Sequence, residues 1–135
     1  MKLIAAVFIG IMLGAVAIFI LEIAGHALYP PPPGIDRTDP EALASLIANA
    51  PAGALLMVVL AYAFGAFVGG LITHLIARSP KQRDALITGF ILMLMGAYNL
   101  FTIPHPAWMV VLSLLTFLPF AFFGGWLVRK KPKTS

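Results

Sequence analysis

Cysteine is absent from the 135 residues, which excludes a disulfide framework, a thiolate nucleophile and any cysteine-ligated metal or iron–sulfur centre. Charge is scarce: Asp, Glu, Lys and Arg together make 10% of the chain, far below the share of a soluble domain. Catalytic signatures are missing too. There is no Ser–His–Asp grouping of plausible geometry, no glycine loop for phosphate, and no inner-leaflet site rich in His or acids. Enzyme chemistry therefore has little support.

What the chain has is oil. Apolar residues make 61% of it and the mean hydropathy is +0.98, so the expected class is an integral membrane protein folded as one compact unit, residues 1–135. The net charge of +4 does not point to nucleic acid. The basic residues sit in short clusters beside oily segments, where phospholipid headgroups and membrane orientation account for them.

Crossing roughly 30 Å of hydrocarbon takes about 20 mostly apolar residues. Four stretches qualify: 3–28, 51–77, 85–103 and 107–128. None alternates like a barrel strand, and backbone in lipid must satisfy its own hydrogen bonds, so all four are expected to be helices in a four-helix transmembrane bundle. Lys2 and the apolar run behind it loosely imitate a secretory signal. The run from Leu3 to Leu21 is longer than a signal core and Glu22 interrupts the approach to a cleavage site, so it reads as a true span.

Lys and Arg set the orientation. Lys2 precedes the first span, Arg78, Lys81 and Arg83 lie between spans two and three, and Arg129, Lys130, Lys131 and Lys133 follow the fourth. The loop after span one carries Asp36, Asp39 and Glu41 against Arg37, and the turn after span three carries no Lys or Arg. Both termini are expected in the cytoplasm, with the chain in a bacterial inner membrane. The first outer loop, 29–50, should contain a rigid polyproline post at Pro30 to Pro33 and a turn at Gly34. Asp39 reads as an N-cap with Pro40 at the first helical position, which starts a short surface helix at about 40–49.

Two halves of the chain look alike at a spacing of 55: Pro51 aligns with Pro106, and "AFVGG" (66–70) with "AFFGG" (121–125). Two similar hairpins pointing the same way would place a pseudo-twofold axis along the membrane normal. Small residues four apart allow helices to approach closely in lipid. Ala6, Gly10 and Gly14 form such a ridge on span one, and Ala61, Gly65 and Gly69 on span two, with Gly124 in the repeated segment of span four. Pairing within the hairpin is their simplest use.

Ionisable and polar residues inside spans are functional candidates by default. Glu22 and His26 are one turn apart near the outer end of span one. Thr88, Asn99 and Thr102 fall within about 60° on span three. Tyr29, Tyr98 and His105 are expected at a similar outward depth, while His74 is expected at the cytoplasmic end of span two near Arg78. Glu22, His26, Tyr29, Asn99 and His105 thus form the candidate site. The bland reading is a set of hydrogen bonds that pins the hairpins together. Glu22, His26 and His105 would also supply one carboxylate and two imidazoles to a metal ion, although Glu-x-x-x-His alone is a weak signal and no cofactor is otherwise expected.

A lone Glu in the first of four spans resembles the small multidrug-resistance transporters, where such a carboxylate exchanges protons for cationic drugs. Glu22 lies nearer the surface than that comparison requires, and the consistent charge bias opposes a dual orientation. "GHALYPPPPG" and "IPHPAW", with "GAFVGG", resemble the marks GHxxYPPPPG and IPHPxW of a set of small uncharacterised bacterial four-span membrane proteins. That resemblance implies an outer motif made of Gly25, His26, Tyr29, Pro30 to Pro33, Gly34, Pro104, His105, Pro106 and Trp108, and no activity. The expected function is structural: a scaffold or accessory subunit in the lipid bilayer, working as a homo-oligomer or within a larger membrane complex. A proton-coupled transporter using Glu22 and an outward metal-binding protein are the alternatives.

Overall fold

The computed structural model describes residues 2–30, 34, 38–78, 82–102 and 105–129. Regular structure among them is entirely helical: α1 (Lys2–Leu28), α2 (Pro40–Ala48), α3 (Ala52–Ala77), α4 (Arg83–Thr102) and α5 (Ala107–Leu127). The expected polyproline post at 31–33, the charged residues Asp36 and Arg37, the basic residues Lys81, Lys130, Lys131 and Lys133, and Pro104 fall outside the described residues. All helices but α2 are long and apolar enough to cross a membrane. At 1.5 Å per residue α1 is about 40 Å long, which exceeds the hydrocarbon thickness and leaves its ends at the interfaces.

Local chemistry sets the boundaries. Asp39 caps α2 by accepting from the Glu41 amide at 3.1 Å, and Pro40 occupies the first helical turn, as its fixed φ and missing N–H favour. Gly34 adopts φ +87°, the left-handed turn conformation anticipated for it. Asn49 closes α2, donating its side-chain amide to the Ser45 carbonyl at 2.9 Å. Span three begins at Arg83, two residues before the expected start, because Asp84 belongs to the first helical turn, where a carboxylate meets the positive end of the helix dipole. Pro119 lies inside α5, where it removes one amide donor and leaves the helix continuous from Ala107 to Leu127.

Helix α3 is the centre of the bundle and packs against α1, α4 and α5, while α4 also touches α1 and α5. The glycine ridges explain the first contact. A Cβ at Gly14 would lie 2.8 Å from the Gly65 carbonyl oxygen, and one at Gly65 would lie 2.9 Å from the Gly14 carbonyl oxygen. Gly10 and Gly69 repeat the relation at 2.7 and 3.1 Å. The two backbones therefore meet without intervening side chains, which maximises dispersion contact where lipid offers no hydrophobic drive. On the other side of α3 the two similar segments meet one another. Gly70 lies against the backbone of Ala121, and Gly124 lies against the carbonyl of Phe67. Leu92, Leu100, Met109 and Phe117 fill the interior, with the Tyr62 and Phe117 rings 5.3 Å apart. Phe8, Phe19, Leu60, Phe101 and Leu115 face outward, an apolar exterior suited to acyl chains.

One end of the bundle gathers Lys2, Arg78, Arg83 and Arg129 and is called the basic end below; the opposite, proline end carries α2 and the two proline-marked connections. Gly14→Ala should cost on the order of 1–3 kcal/mol, because its methyl group meets backbone rather than a movable side chain. Gly25→Ala meets Met57 Cβ at an ordinary 3.4 Å and should cost little. Reversible unfolding in detergent compares them, and equal losses would remove the close-approach explanation.

Candidate functional site

Polar pairing is concentrated at the basic end. His74 occupies the last turn of α3 and Asp84 the first turn of α4, so the short connection between these helices brings them face to face. Nδ1 of His74 lies 2.8 Å from Oδ1 and 3.0 Å from Oδ2 of Asp84, and the two residues are 4% and 0% exposed. An ionised carboxylate only accepts, so Nδ1–H is the donor. Asp84 Oδ1 also accepts from the Ala85 amide at 2.6 Å. On the far side of the ring, Nε2 is 3.4 Å from the Gln82 side-chain nitrogen. Gln82 is itself buried, and its Oε1 has no partner among the described residues.

A second pair lies one helical step away. Thr73 donates to the Ala6 carbonyl at 3.4 Å, so the Thr88 hydroxyl, 2.6 Å away, donates to Thr73. These bonds run from α4 through α3 to α1, and both threonines are fully buried. The connection between α3 and α4 is conformationally unusual at both ends: Arg78 has φ +53° and Gln82 φ +61°. Non-glycine residues enter this left-handed region at a cost of about 1–2 kcal/mol each, and surrounding contacts must hold them there. The Arg78 amide bonds the His74 carbonyl at 2.9 Å and closes α3.

His74, placed near Arg78 by the sequence, is thus paired with Asp84, a contact that the sequence reading did not include. Its partner lies ten residues away on the next helix, a distance that no single-helix spacing reveals. A readable signal did exist: a His in the last turn before a short connection and an Asp in the first turn after it must fall at one depth.

At the proline end the candidate residues are dispersed among separate tasks. Asn99 donates its side-chain amide to the Tyr62 hydroxyl at 2.8 Å, joining α4 to α3. His105 Nδ1 is 3.1 Å from the Leu100 carbonyl and holds the end of α4. Tyr29 is exposed, and the phenol end of its side chain lies against Gly53, in the first turn of α3. Thr102 bonds the Tyr98 carbonyl of its own helix at 2.5 Å. Glu22 and His26 share one face of α1, as their spacing requires, with Glu22 half-buried within electrostatic reach of Tyr62 and His26 exposed. Neither makes a hydrogen bond or ion pair to another described residue.

Glu22, His26 and His105 do not gather at a common centre. Among the described residues no three His, Asp or Glu side chains lie close enough together to hold a metal ion. A shallow apolar groove formed by Leu100, Phe101, Ala107, Val110 and Val111 flanks His105 and adds no ligand to it.

Fold and site together define an all-helical bundle of the multi-pass membrane class, built from four apolar helices and braced by buried polar pairs. Comparison with family models, with curated proteins and with solved structures found no match.

The two polar regions should respond differently to substitution. Asp84→Ala strands a buried imidazole and should cost on the order of 3–5 kcal/mol. Glu22→Ala and His26→Ala remove side chains that make no hydrogen bond or ion pair among the described residues and should stay within about 0.5 kcal/mol. Unfolding of the four proteins in one detergent makes the comparison; a Glu22→Ala loss as large as that of Asp84→Ala would reverse the assignment.

Proposed function

We propose that this protein is a structural or interaction component of a bacterial cytoplasmic membrane, a scaffold or accessory subunit that docks through the outer end of α1. The observation that carries this reading is the contrast between two sets of polar residues. His74, Asp84, Thr73, Thr88, Tyr62 and Asn99 bond across helices within the chain. Glu22 and His26 lie on one α1 face without a hydrogen-bonded partner among the described residues, beside the exposed Phe19 and Ile23. Ionisable side chains at the edge of the hydrocarbon are unfavourable, by up to about 3 kcal/mol at a helix centre and less toward the interface. A second polypeptide seated on this face would give them bonding partners and cover the aromatic residue beside them.

The charge distribution supports the orientation. Lys2, Arg78, Arg83 and Arg129 share one end, which the positive-inside tendency puts in the cytoplasm, so the docking end faces outward. The "GHxxYPPPPG" resemblance is in keeping with this, since His26 and Tyr29 belong to the same outward rim. The partner is a second copy of the chain or a larger membrane protein.

Because the chain has no cysteine, one introduced thiol is unique. Phe19→Cys should give cross-linked species above the monomer mass when native membranes are treated with a thiol-reactive cross-linker, and Glu22→Gln in that background should diminish them. Leu60→Cys, on the lipid face of α3, is the control and should stay monomeric. Monomers alone from both positions, or equal cross-linking from both, would contradict docking through α1.

A further inference from the structure

We infer that the outer seam between α3 and α5 at the basic end binds an anionic phospholipid, its phosphate held by Arg129 and Trp126 and an acyl chain laid along Phe123 and Phe67. Helix α1 packs against α3 and α4, so this seam is separate from the docking face and stands or falls independently of it.

Sequence spacing builds the site. Phe123, Trp126 and Arg129 recur every third residue, which makes them neighbours along one side of α5 and the residues that follow it. The Phe123 and Trp126 rings stack with centroids 5.8 Å apart, and the Arg129 guanidinium lies 4.7 Å over the Trp126 ring. Phe67 carries the series onto α3, its ring 5.9 Å from that of Phe123. The rings lie at the surface because the two backbones meet beneath them. Gly70 lies against Ala121 and Gly124 against the Phe67 carbonyl, which leaves no room for side chains between the helices and puts the bulky rings on the flank. Phe123, Trp126 and Arg129 are exposed and Phe67 is half-buried, so the strip is open to whatever surrounds the bundle.

The chemistry of the strip selects its occupant. Around an apolar membrane helix the medium is lipid, and a run of aromatic rings offers an acyl chain a large apolar surface. Depth places the polar end correctly. At 1.5 Å per residue α5 is about 32 Å long, close to the thickness of the hydrocarbon, so Trp126 and Arg129 stand where headgroups begin. A guanidinium held over an indole keeps its edge of N–H donors for a planar, two-bond contact with phosphate. The indole N–H adds a donor one turn below. Neither the Arg129 guanidinium nor the Trp126 N–H has a hydrogen-bonded partner among the described residues.

Neighbouring charge favours an anionic lipid over a zwitterionic one. Lys2, Arg78 and Arg83 are exposed at the same end of the bundle. Among the described acidic residues, Glu22, Asp39 and Glu41 belong to the opposite half, and Asp84 is fully buried against His74. No described carboxylate therefore competes for the Arg129 guanidinium at the surface.

The site can report on its own occupancy. The chain has two tryptophans, and Trp108 lies at the proline end, so Trp108→Phe leaves Trp126 as the sole indole. Its fluorescence is measured in phosphatidylcholine vesicles carrying a minor fraction of acyl-brominated lipid, either phosphatidylglycerol or phosphatidylcholine. Brominated phosphatidylglycerol should be preferred at the seam by more than about fivefold, the worth of one basic residue beside an anionic headgroup. Arg129 is exposed beyond the last turn of α5, so Arg129→Gln leaves the packing intact and should lower the preference about fivefold. Lys2→Gln removes a charge from the same end on α1 and should change it by less than about twofold. Equal quenching by the two lipids would overturn the site, as would equal losses from Arg129→Gln and Lys2→Gln, which would mark a general surface charge. Absence of quenching by either lipid would show that protein covers the seam, again overturning it. If sodium phosphate abolishes the preference and sodium chloride of equal ionic strength does not, the donors belong to free phosphate and the lipid assignment fails.

Discussion

The hydrogen bond between His74 and Asp84 is the interaction on which the arrangement of helices depends most. Inside a bilayer no water stands by to satisfy a polar group, so a buried imidazole and carboxylate remain only where each finds the other. Their bond fixes the relative depth and rotation of α3 and α4. Once that is set, Thr88 reaches Thr73, Thr73 reaches Ala6 on α1, and Asn99 at the far end of α4 reaches Tyr62. Close glycine contacts then supply the packing on either side of α3, with α1 through Gly10, Gly14, Gly65 and Gly69, and with α5 through Gly70 and Gly124.

Those two kinds of contact divide the molecule by chemistry. Glycine contacts are shape-specific and insensitive to charge, and they hold α1 and α5 to the central helix. The polar contacts are few, directional and concentrated at the basic end, where left-handed backbone at Arg78 and Gln82 shows that tertiary packing overrides local preference. At the proline end Asn99 joins α4 to α3 through Tyr62, His105 and Thr102 brace the end of α4, and Glu22 and His26 make no hydrogen bond or ion pair among the described residues. The proposed docking through α1 rests on that contrast between the two ends.

Much of the architecture was legible in the sequence because membrane spans follow from simple physical limits. Hydrocarbon thickness fixed the lengths of the four long helices, and Asp39 with Pro40 marked α2 through a purely local capping rule. The pairing of Gly10 and Gly14 with Gly65 and Gly69 was readable because small residues four apart leave one obvious use in lipid. The site was read less well. Depth along a helix follows from residue number, but rotation about the bundle does not, so Glu22, His26 and His105 appeared to share a site that the structure does not assemble. The His74–Asp84 pair was missed for the converse reason: its members belong to different helices, and a separation of ten in sequence concealed an adjacency that the short connection brings about.

The most direct test of this account is a double-substitution cycle at the central pair, using His74→Ala, Asp84→Ala and the double variant, with unfolding free energy in a single detergent as the readout. If the bond between them organises the basic end, the single losses do not add: the coupling should be on the order of 1.5–3 kcal/mol, the range for a hydrogen bond to a charged group. Losses that add to within about 0.5 kcal/mol would show two independent residues and contradict it.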